Sequence, residues 1–585
     1  MTPTVLLVVT AVTAAVVAAA AVVGCAWLAQ RLGAVARPRG DRWHQRPIPL
    51  LGGLAIALGA GVAITPSLGP GSPLLVVVAG AAASVLVGLI DDLRPLKPQT
   101  KLTAQLVVAT AVVSTGLRLP VTGIVWCDVL LSLLWLVALT NAFNLLDNMD
   151  GLAAGVAAIA ALAHTLLFAS AGAIDAARLS VAVAGACLGF LLHNSHPASI
   201  FMGDAGSLFL GFTIGASSLL LGGDGPARLS VVVLPALVVL VPIFDSAFVT
   251  VHRVLARRPL SQGGRDHVSH RLVAAGFSER QAVVALYAGA AVSATAALAT
   301  AFGLADAGIA IGLLSIGAVI LGVMLGRVGG YPAEAAGTAA RRLPTAMSFG
   351  RQASAFAIDL LLVALAYYTA YRLRFEQTFA AEEEVFVASL PLVVAAKMVA
   401  FAILRTYQGL WRYTSLGDIV RLAQAVALGG VLATLGVLAV FRFQGYSRAL
   451  FVLDGLLLFV FLAGSRAAAR LLAEGLRPRP VGLRPVVIYG AGEAGVMVLR
   501  EIRSNGALGR QAVAFIDDDP ALARTDVHGL RVAGGADRLD DILGAAPVAE
   551  LIVSSAKIAP ERLAQVREAC DAHGVVVVRS VLRFE

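Results

Sequence analysis

The sequence predicts a polytopic α-helical membrane protein of about fifteen transmembrane helices, followed by a cytoplasmic C-terminal α/β domain. Hydrophobic residues make up 58% of the 585 residues. Charged residues make up only 14%, against roughly 25% in soluble domains. Apolar runs that approach the roughly 20 residues needed to cross a bilayer recur as far as residue 465. Beyond residue 483 the pattern changes to short apolar strands that alternate with polar helices.

These features exclude a soluble enzyme, a disordered protein and a disulfide scaffold. The four cysteines have no spacing typical of a metal site. Eleven spans are expected in the first part of the chain and four in the second. They lie near residues 4–28, 50–66, 73–90, 103–116, 126–145, 153–171, 177–192, 206–221, 229–250, 281–302 and 307–326, and then near 353–371, 386–404, 422–441 and 449–465.

The positive residues are concentrated in alternate loops. Arginines and lysines crowd the loops after the first, third, ninth and eleventh spans, whereas the loops around 67–72, 222–228 and 303–306 carry almost none. Because positive loops are retained in the cytoplasm, this asymmetry predicts that the N-terminus is outside. The formal net charge of +9 is therefore a topological signal, and we expect no nucleic-acid partner.

Four polar clusters fall at the cytoplasmic ends of the predicted spans. Charge near a membrane is costly, so its placement on one face indicates a single site. Carboxylates completed by substrate phosphates suit Mg²⁺, which predicts phosphoryl transfer between a soluble and a lipid substrate. The alternatives are solvated helix ends and a transporter or flippase, which would place polar residues near the bilayer midplane. The clusters are Asp91-Asp92, Asn141-Asn144-Asp147-Asp150, Asp204 and His267-His270.

Five segments, in order, resemble the motifs of the polyprenyl-phosphate N-acetylhexosamine-1-phosphate transferases. The resemblance covers about residues 1–330. It implies Mg²⁺-dependent transfer of a sugar-1-phosphate from a UDP-sugar, with UDP-GlcNAc the default donor, to undecaprenyl phosphate, which releases UMP. Mn²⁺ is the alternative metal, and a homodimer in the bacterial inner membrane is expected. The segments are Gly40–Gly53, Gly88–Gln105, Thr140–Gly155, Phe201–Gly211 and Gln262–Leu272.

The resemblance also implies roles for individual residues. The paired aspartates Asp91 and Asp92 match a catalytic position, and Asp204, with Asp92, matches the metal site. Asn148 departs from the glycine that is usual in the family. The further residues implied as catalytic are Asp147, His267 and His270, and those implied to bind substrate are His44, Lys101, Asn144, Asp150, Phe201, Arg265 and Arg271.

The second part of the chain is predicted to have its own organisation. A linker over 331–350 leads to a four-helix membrane domain, 351–475, and then to a Rossmann-like domain, 484–585. Strands are expected at 485–489, 511–515, 530–533, 549–554 and 574–578. The motif Gly490, Gly492, Gly495 follows the first strand, and Asp517 ends the second, which is typical of dinucleotide binding. Its alternative explanation is a tightly packed turn without a ligand.

This half resembles the front part of the membrane-anchored nucleotide-sugar dehydratases, on residues 407–419, 447–470 and 486–519. Those enzymes use a YxxxK pair, and no such pair follows residue 350. The resemblance therefore implies an anchor and docking module that binds NAD(P) or a UDP-sugar without chemistry. An NAD-dependent nucleotide-sugar enzyme is the alternative function.

Overall fold

The computed structural model describes two compact units, Met1–Arg477 and Pro478–Glu585. The described residues are 2–36, 47–221, 230–255, 264, 266–327, 344–376, 378–406, 416–443, 446–475, 483–504, 508–545, 547–554 and 558–580.

Eight helices and a small ribbon form the first part of the membrane unit. The ribbon pairs β1 (Val35–Ala36) with β2 (Ile48–Pro49) in antiparallel fashion. Helix α1 packs along α7 and α2, while α3 and α5 both pack on α8. The helices are α1 (Pro3–Leu32), α2 (Gly52–Ile64), α3 (Pro73–Leu93), α4 (Pro98–Val113), α5 (Val125–Leu146), α6 (Leu152–Ser170), α7 (Ile174–Asn194) and α8 (Gly203–Leu220).

The next part contains a sharp break. Helices α9 (Ser230–Val238) and α10 (Leu240–Leu255) meet at a bend of 80°. Pro242 lacks the N–H that would continue the helical hydrogen bonds across this junction, which accounts for the break. The short helix α11 (Val268–Ala274) then precedes α12 (Glu279–Ala301) and α13 (Ala307–Arg327).

Four further helices complete this unit: α14 (Pro344–Arg374), α15 (Phe379–Ile403), α16 (Leu416–Phe441) and α17 (Arg448–Gly475). Helix α13 packs against α14 and α17. Asp306, just before α13, accepts a hydrogen bond from the Tyr368 hydroxyl at 2.9 Å and pairs with Arg372 at 2.7 Å. Most of the predicted linker, 331–350, lies outside the described residues, and its last seven residues begin α14.

All fifteen predicted spans fall on helices, but not all of these helices are long and apolar enough to cross a membrane. Eleven described helices meet that test, and the bent pair α9–α10 raises the number to twelve if it is one span. Helices α2, α4 and α8 are the shorter or less apolar ones. The multi-pass class is thus confirmed, while the count of fifteen stays a prediction.

Two ion pairs lie buried among the last four helices. Lys397 of α15 pairs with Asp454 of α17, and both side chains are almost fully buried. Asp359 of α14 pairs with Arg466 of α17 at 2.8 Å. Within the bilayer such charges are tolerated only when they find partners, so the pairs fix which helices pack together.

The second unit is built on a four-stranded parallel sheet, in the order β4-β3-β7-β8. Apolar residues of β3 are buried on both faces, as expected of a central parallel strand. The strands are β3 (Arg484–Tyr489), β4 (Arg510–Ile516), the hairpin β5 (Asp526–Val527) and β6 (Leu530–Arg531), β7 (Glu550–Val553) and β8 (Val576–Arg579), and the helices are α18 (Glu493–Ser504), α19 (Leu539–Ala545) and α20 (Pro560–Ala572). Four of the five predicted strands form this parallel sheet, whereas the strand predicted at 530–533 is represented by β6, which pairs antiparallel with β5.

Candidate active site

Four polar side chains meet where α3 and α5 end and α4 and α8 begin. The Lys101 ammonium lies 3.0 Å from Asp91 Oδ2 and 3.2 Å from Asn144 Oδ1, and it also contacts Asp204. Asn144 donates to Asp204 Oδ1 at 2.7 Å and to the Ser207 hydroxyl at 2.9 Å. The cluster therefore balances one cation against two carboxylates at the ends of four helices.

Asp92 holds the start of α8 in place. Its carboxylate accepts hydrogen bonds from the backbone N–H groups of Asp204, at 2.8 Å, and Ala205, at 3.0 Å. These N–H groups have no partner within the helix, and a carboxylate is well suited to them. Gly203 has φ +70°, and a Cβ there would lie 2.6 Å from the Leu50 carbonyl oxygen. Backbone contacts and Asp92 thus fix where the Asp204 side chain begins.

Asp147 follows the end of α5 beside this cluster. Burial, reinforced by the charges of Asp204, Asp92 and Asp150, raises the pKa of Asp147 to about 8. An acid with this pKa stays largely protonated at neutral pH and can donate a proton or a hydrogen bond.

Asp150 organises the loop between α7 and α8. Its Oδ2 accepts from the backbone N–H of Ala198 at 3.0 Å and lies 3.1 Å from His196 Nδ1. The backbone N–H of Phe201, where this loop ends, donates to the Pro49 carbonyl, and the Phe201 carbonyl accepts from Gly52. The aromatic ring predicted to stack on a base is therefore carried by a backbone that both β2 and α2 hold.

The predicted histidines lie in helix α11 and just before it. His267 Nδ1 lies 2.8 Å from the Asp245 carboxylate, and the rings of His267 and His270 are 6.0 Å apart. The Ser269 hydroxyl donates to Asn148 Oδ1 at 2.7 Å. This last bond places α11 against the loop that carries Asp147 and Asp150.

Arg271 has contacts with α13 and α10. It is buried, and its guanidinium donates to the Leu325 carbonyl at the end of α13, at 3.0 Å, and lies 2.6 Å from His252 Nε2. These contacts make Arg271 an anchor of α11, although its predicted role is substrate binding.

The structure thus brings Asp91, Lys101, Asn144 and Asp204 into direct contact, with Asp92 and Asp147 beside them. Asp150, Phe201, His267 and His270 lie on the adjoining loop and helix. Two predicted residues, His44 and Arg265, lie outside the described residues.

Sequence reasoning missed Gln105 and Ser207, and it gave Asn141 a place in a polar cluster but no role. Asn141 donates to Gln105 Oε1 at 2.7 Å, which ties α5 to α4, and Ser207 supports Asn144. Ser207 follows Asp204 by three residues and so lies on the same helix face, which is the signal that could have indicated it. The contact between Gln105 and Asn141 has no such local signal.

The donor set suits a hard divalent cation. Carboxylate oxygens of Asp91 and Asp204 and the Asn144 amide oxygen converge on one positive group, the Lys101 ammonium. Mg²⁺ commonly takes one or two carboxylates and completes its shell with water and phosphate oxygens. Among the described residues, no three acidic, histidine or cysteine side chains surround a common point. Any Mg²⁺ would therefore depend on substrate oxygens.

The second unit has its own candidate site, at the glycine turn after β3. Gly490 has φ +103°, and a Cβ on Gly495 would lie 1.8 Å from the Gly490 carbonyl oxygen, so both positions require glycine. A Cβ on Gly492 would meet no protein atom within 4 Å. Asp517 Oδ2 accepts from the Ala491 N–H at 2.7 Å.

A cleft of ≈ 570 Å³ opens beside this turn, between the ends of β3 and β4 and the start of α20. Asp518 accepts from the Tyr489 hydroxyl at 2.5 Å and from the Ala536 N–H at 2.8 Å. Although burial opposes it, these bonds hold the pKa of Asp518 below its usual range. The cleft is lined by Tyr489, Gly490, Asp517, Asp518, Ile558, Ala559, Glu561, Arg562 and Gln565.

The helical bundle is apolar, and carboxylates, a lysine and histidines lie together at one set of its helix ends. This combination is typical of integral membrane enzymes. Comparison with known proteins agrees and narrows the class. The profile of glycosyl transferase family 4 matches residues 74–222, and that of a CoA-binding domain matches residues 402–580.

The chain aligns with most of the length of several curated relatives. A probable undecaprenyl-phosphate N-acetylglucosaminyl 1-phosphate transferase of Bacillus subtilis is 38% identical over 271 residues, which is 44% of this chain and 75% of the relative. A decaprenyl-phosphate N-acetylglucosaminephosphotransferase of Mycolicibacterium smegmatis is 37% identical over 317 residues, 47% of this chain and 77% of the relative. A phospho-N-acetylmuramoyl-pentapeptide-transferase of Moorella thermoacetica is 39% identical over 212 residues, 32% of this chain and 65% of the relative. The chain belongs to glycosyl transferase family 4, the polyprenyl-phosphate N-acetylhexosamine-1-phosphate transferases.

Proposed function

We propose that the protein transfers GlcNAc-1-phosphate, or the 1-phosphate of a related N-acetylated sugar, from a UDP-sugar to undecaprenyl phosphate. In the net reaction, a phosphate oxygen of the lipid bonds to the sugar-bearing phosphorus, the pyrophosphate bond breaks and UMP leaves. The product would initiate a lipid-linked cell-envelope glycan. The contact of Lys101 with Asp91, Asn144 and Asp204 carries this proposal, because it collects at one point the groups that a pyrophosphate and its cation require.

The residues divide this work. Asp204 and Asp91 would hold Mg²⁺, which supplies neutralisation of the phosphate charge when it is bound. Asp91 would take the place of Asp92, which the resemblance pairs with Asp204, because both Asp92 oxygens accept backbone N–H groups at the start of α8. Lys101 would then be freed to bind a phosphate oxygen, Phe201 would stack on the uracil ring, and Asp147, kept protonated by its raised pKa, would donate to a phosphate or sugar oxygen. His267 and His270 approach from α11.

A cytoplasmic location for this site, in a bacterial inner membrane with the N-terminus outside, is part of the same proposal. It is supported by the arginine-rich loops that adjoin the site. A homodimer remains our proposal for the assembly.

Release of UMP tests the function. Purified protein, undecaprenyl phosphate and UDP-GlcNAc should yield UMP and a lipid-linked GlcNAc pyrophosphate, and both should disappear with EDTA and return with Mg²⁺ or Mn²⁺. Lipid omitted from the same reaction is the control. Absence of UMP with UDP-GlcNAc, UDP-GalNAc and UDP-MurNAc-pentapeptide would reject the proposal in favour of a transporter or flippase.

For the C-terminal unit we propose a Rossmann-like fold that binds NAD(P) or a UDP-sugar without converting it. The isolated bridge from Phe515 to Val532 extends the sheet order to Val532-β4-β3-β7-β8, the arrangement of a doubly wound dinucleotide-binding sheet. The cleft lies outside the carboxyl ends of the strands, where such sheets bind ligands. Thermal-shift measurements on the full-length protein with NAD⁺, NADP⁺, UDP, UDP-GlcNAc and coenzyme A would identify the ligand. A melting temperature unchanged by all five would favour a purely structural role.

A further inference from the structure

Asp245 is a buried carboxylate on α10 that none of the predicted site roles uses. It is 1% exposed and lies five residues beyond the start of α10, just after the 80° break. One oxygen accepts from the backbone N–H of Val268, the first residue of α11, at 2.8 Å. The other lies 2.8 Å from His267 Nδ1. The two bonds grip both the start of α11 and the side chain just before it.

The chemistry of the pair fixes where the His267 proton lies. An ionised carboxylate only accepts hydrogen bonds, so Nδ1 must be the protonated nitrogen. In the neutral ring, Nε2 then carries the lone pair, and it is the ring atom left for other partners. A histidine held this way can take a proton or, once protonated, present a positive N–H to a phosphate.

Helix α11 is too short to hold this geometry alone, and other contacts fix it. Arg271 binds the Leu325 carbonyl at the end of α13, and Ser269 binds Asn148 in the loop beside Asp147. Three side chains thus connect the seven-residue helix α11 to its neighbours. Asp245 connects it to α10, Arg271 to α13, and Ser269 to the loop that carries Asp147 and Asp150. Asp245 contacts the ring of His267, whereas Arg271 contacts that of His252.

We propose that Asp245 is a positioning residue for the transfer reaction, which sets the tautomer and orientation of His267 so that Nε2 faces the substrate. This inference rests on the proposed function. It assigns to the carboxylate a role through His267 and not through contact with either substrate.

The Asp245→Asn substitution separates positioning from packing. The asparagine oxygen can still accept from Val268, while its NH₂ group donates to Nδ1 and so reverses the tautomer. We expect kcat to fall at least about tenfold, as removal of comparable supporting partners does, while KM for UDP-GlcNAc stays within about threefold because no substrate contact is lost. Asp128→Asn is the matched control. Asp128 is also buried, at 2% exposure, but binds Val121 and Thr122 in the loop before α5; its variant should keep the wild-type kcat.

The tautomer can be observed directly. In solid-state NMR of ¹⁵N-histidine-labelled protein at about pH 8.5, above the ordinary histidine pKa, the ring signal lost in His267→Ala should show a protonated Nδ1 in the wild type. In Asp245→Asn it should show a protonated Nε2. An unchanged tautomer, or wild-type kcat in Asp245→Asn, would overturn the inference. If the wild type released no UMP under any condition, the proposed function itself would be rejected. Failure of the inference about Asp245 is therefore distinguishable from failure of the proposed function.

Discussion

Lys101 and Asp204, 103 positions apart in the chain, form an ion pair where α4 and α8 begin. The lysine also reaches Asp91, so one ammonium holds together two carboxylates from different helices. A bound Mg²⁺ would have to compete for the same oxygens. Metal binding and release of the lysine side chain are therefore coupled in the proposed reaction.

Asp204→Ala should lower the rate of UMP release by at least about a hundredfold, because it removes the carboxylate on which both Lys101 and the proposed Mg²⁺ depend. The protein should remain folded, as shown by its elution in size-exclusion chromatography. Asp128→Asn serves as the control at a buried aspartate far from the cluster. Retained activity in Asp204→Ala would refute the assignment of the metal site.

Asp150→Ala should raise KM for the UDP-sugar about tenfold and change kcat much less. The substitution removes the contacts of Asp150 with Ala198 and His196. Both residues lie in the loop that ends at Phe201, which is proposed to stack on uracil. Steady-state kinetics at saturating lipid would measure the effect. His196→Ala, which leaves the backbone contact intact, is the control and should have a smaller effect. A fall in kcat at unchanged KM would argue against this role.

Stability should depend on pH through Asp147. Its folded-state pKa of about 8 lies above the unfolded value of about 3.9. The folded form therefore holds a proton that the unfolded form has lost, and stability falls as pH rises through this window to about 8. In metal-free buffer, the melting temperature of Asp147→Asn should fall less between about pH 5 and pH 8.5 than that of the wild type. Parallel melting curves for the two proteins would contradict the raised pKa.

The orientation can be tested by cysteine labelling in a Cys127→Ser background, since the other three cysteines are buried. With the N-terminus outside, Pro70→Cys and Glu382→Cys should react with an impermeant maleimide in intact cells. Glu568→Cys in α20 should react only after lysis. Labelling of the Glu568 position in intact cells would mean that the spans between residues 344 and 475 are miscounted.

Gly492→Val should abolish the thermal shift that a nucleotide ligand gives the full-length protein. A Cβ at Gly492 would meet no protein atom within 4 Å, so the substitution projects into space that a ligand phosphate would approach. Gly544→Val, equally unobstructed but in α19, is the matched control. UMP release should persist in both variants. An equal ligand shift in the two would place the ligand elsewhere.

Hydropathy alone predicted the positions of the membrane helices, because a helix that crosses a bilayer must be apolar over most of its length. The strands of the C-terminal unit were equally readable, since β3 and β7 are short apolar runs flanked by turns. The contacts that build the site were not readable. Lys101 meets Asp204, and Arg271 meets Leu325, only because of how distant helices pack, and no local pattern encodes that distance. The substrate-binding role of Arg271 stays a prediction, and its packing contact with Leu325 had no signal in the sequence.

The pair of Lys397 and Asp454 has a consequence for biogenesis. A lone lysine or aspartate at the centre of a membrane helix costs about 2.5–3.5 kcal/mol on insertion. Asp454 is synthesised 57 residues after Lys397. At a translation rate of roughly 5–20 residues per second, Lys397 is therefore without Asp454 for about 3–11 s. During that interval the nascent helix needs a polar environment, which the insertion machinery or lipid headgroups must provide. Helix α17 then does more than complete the bundle, because its arrival allows α15 to settle at its final depth.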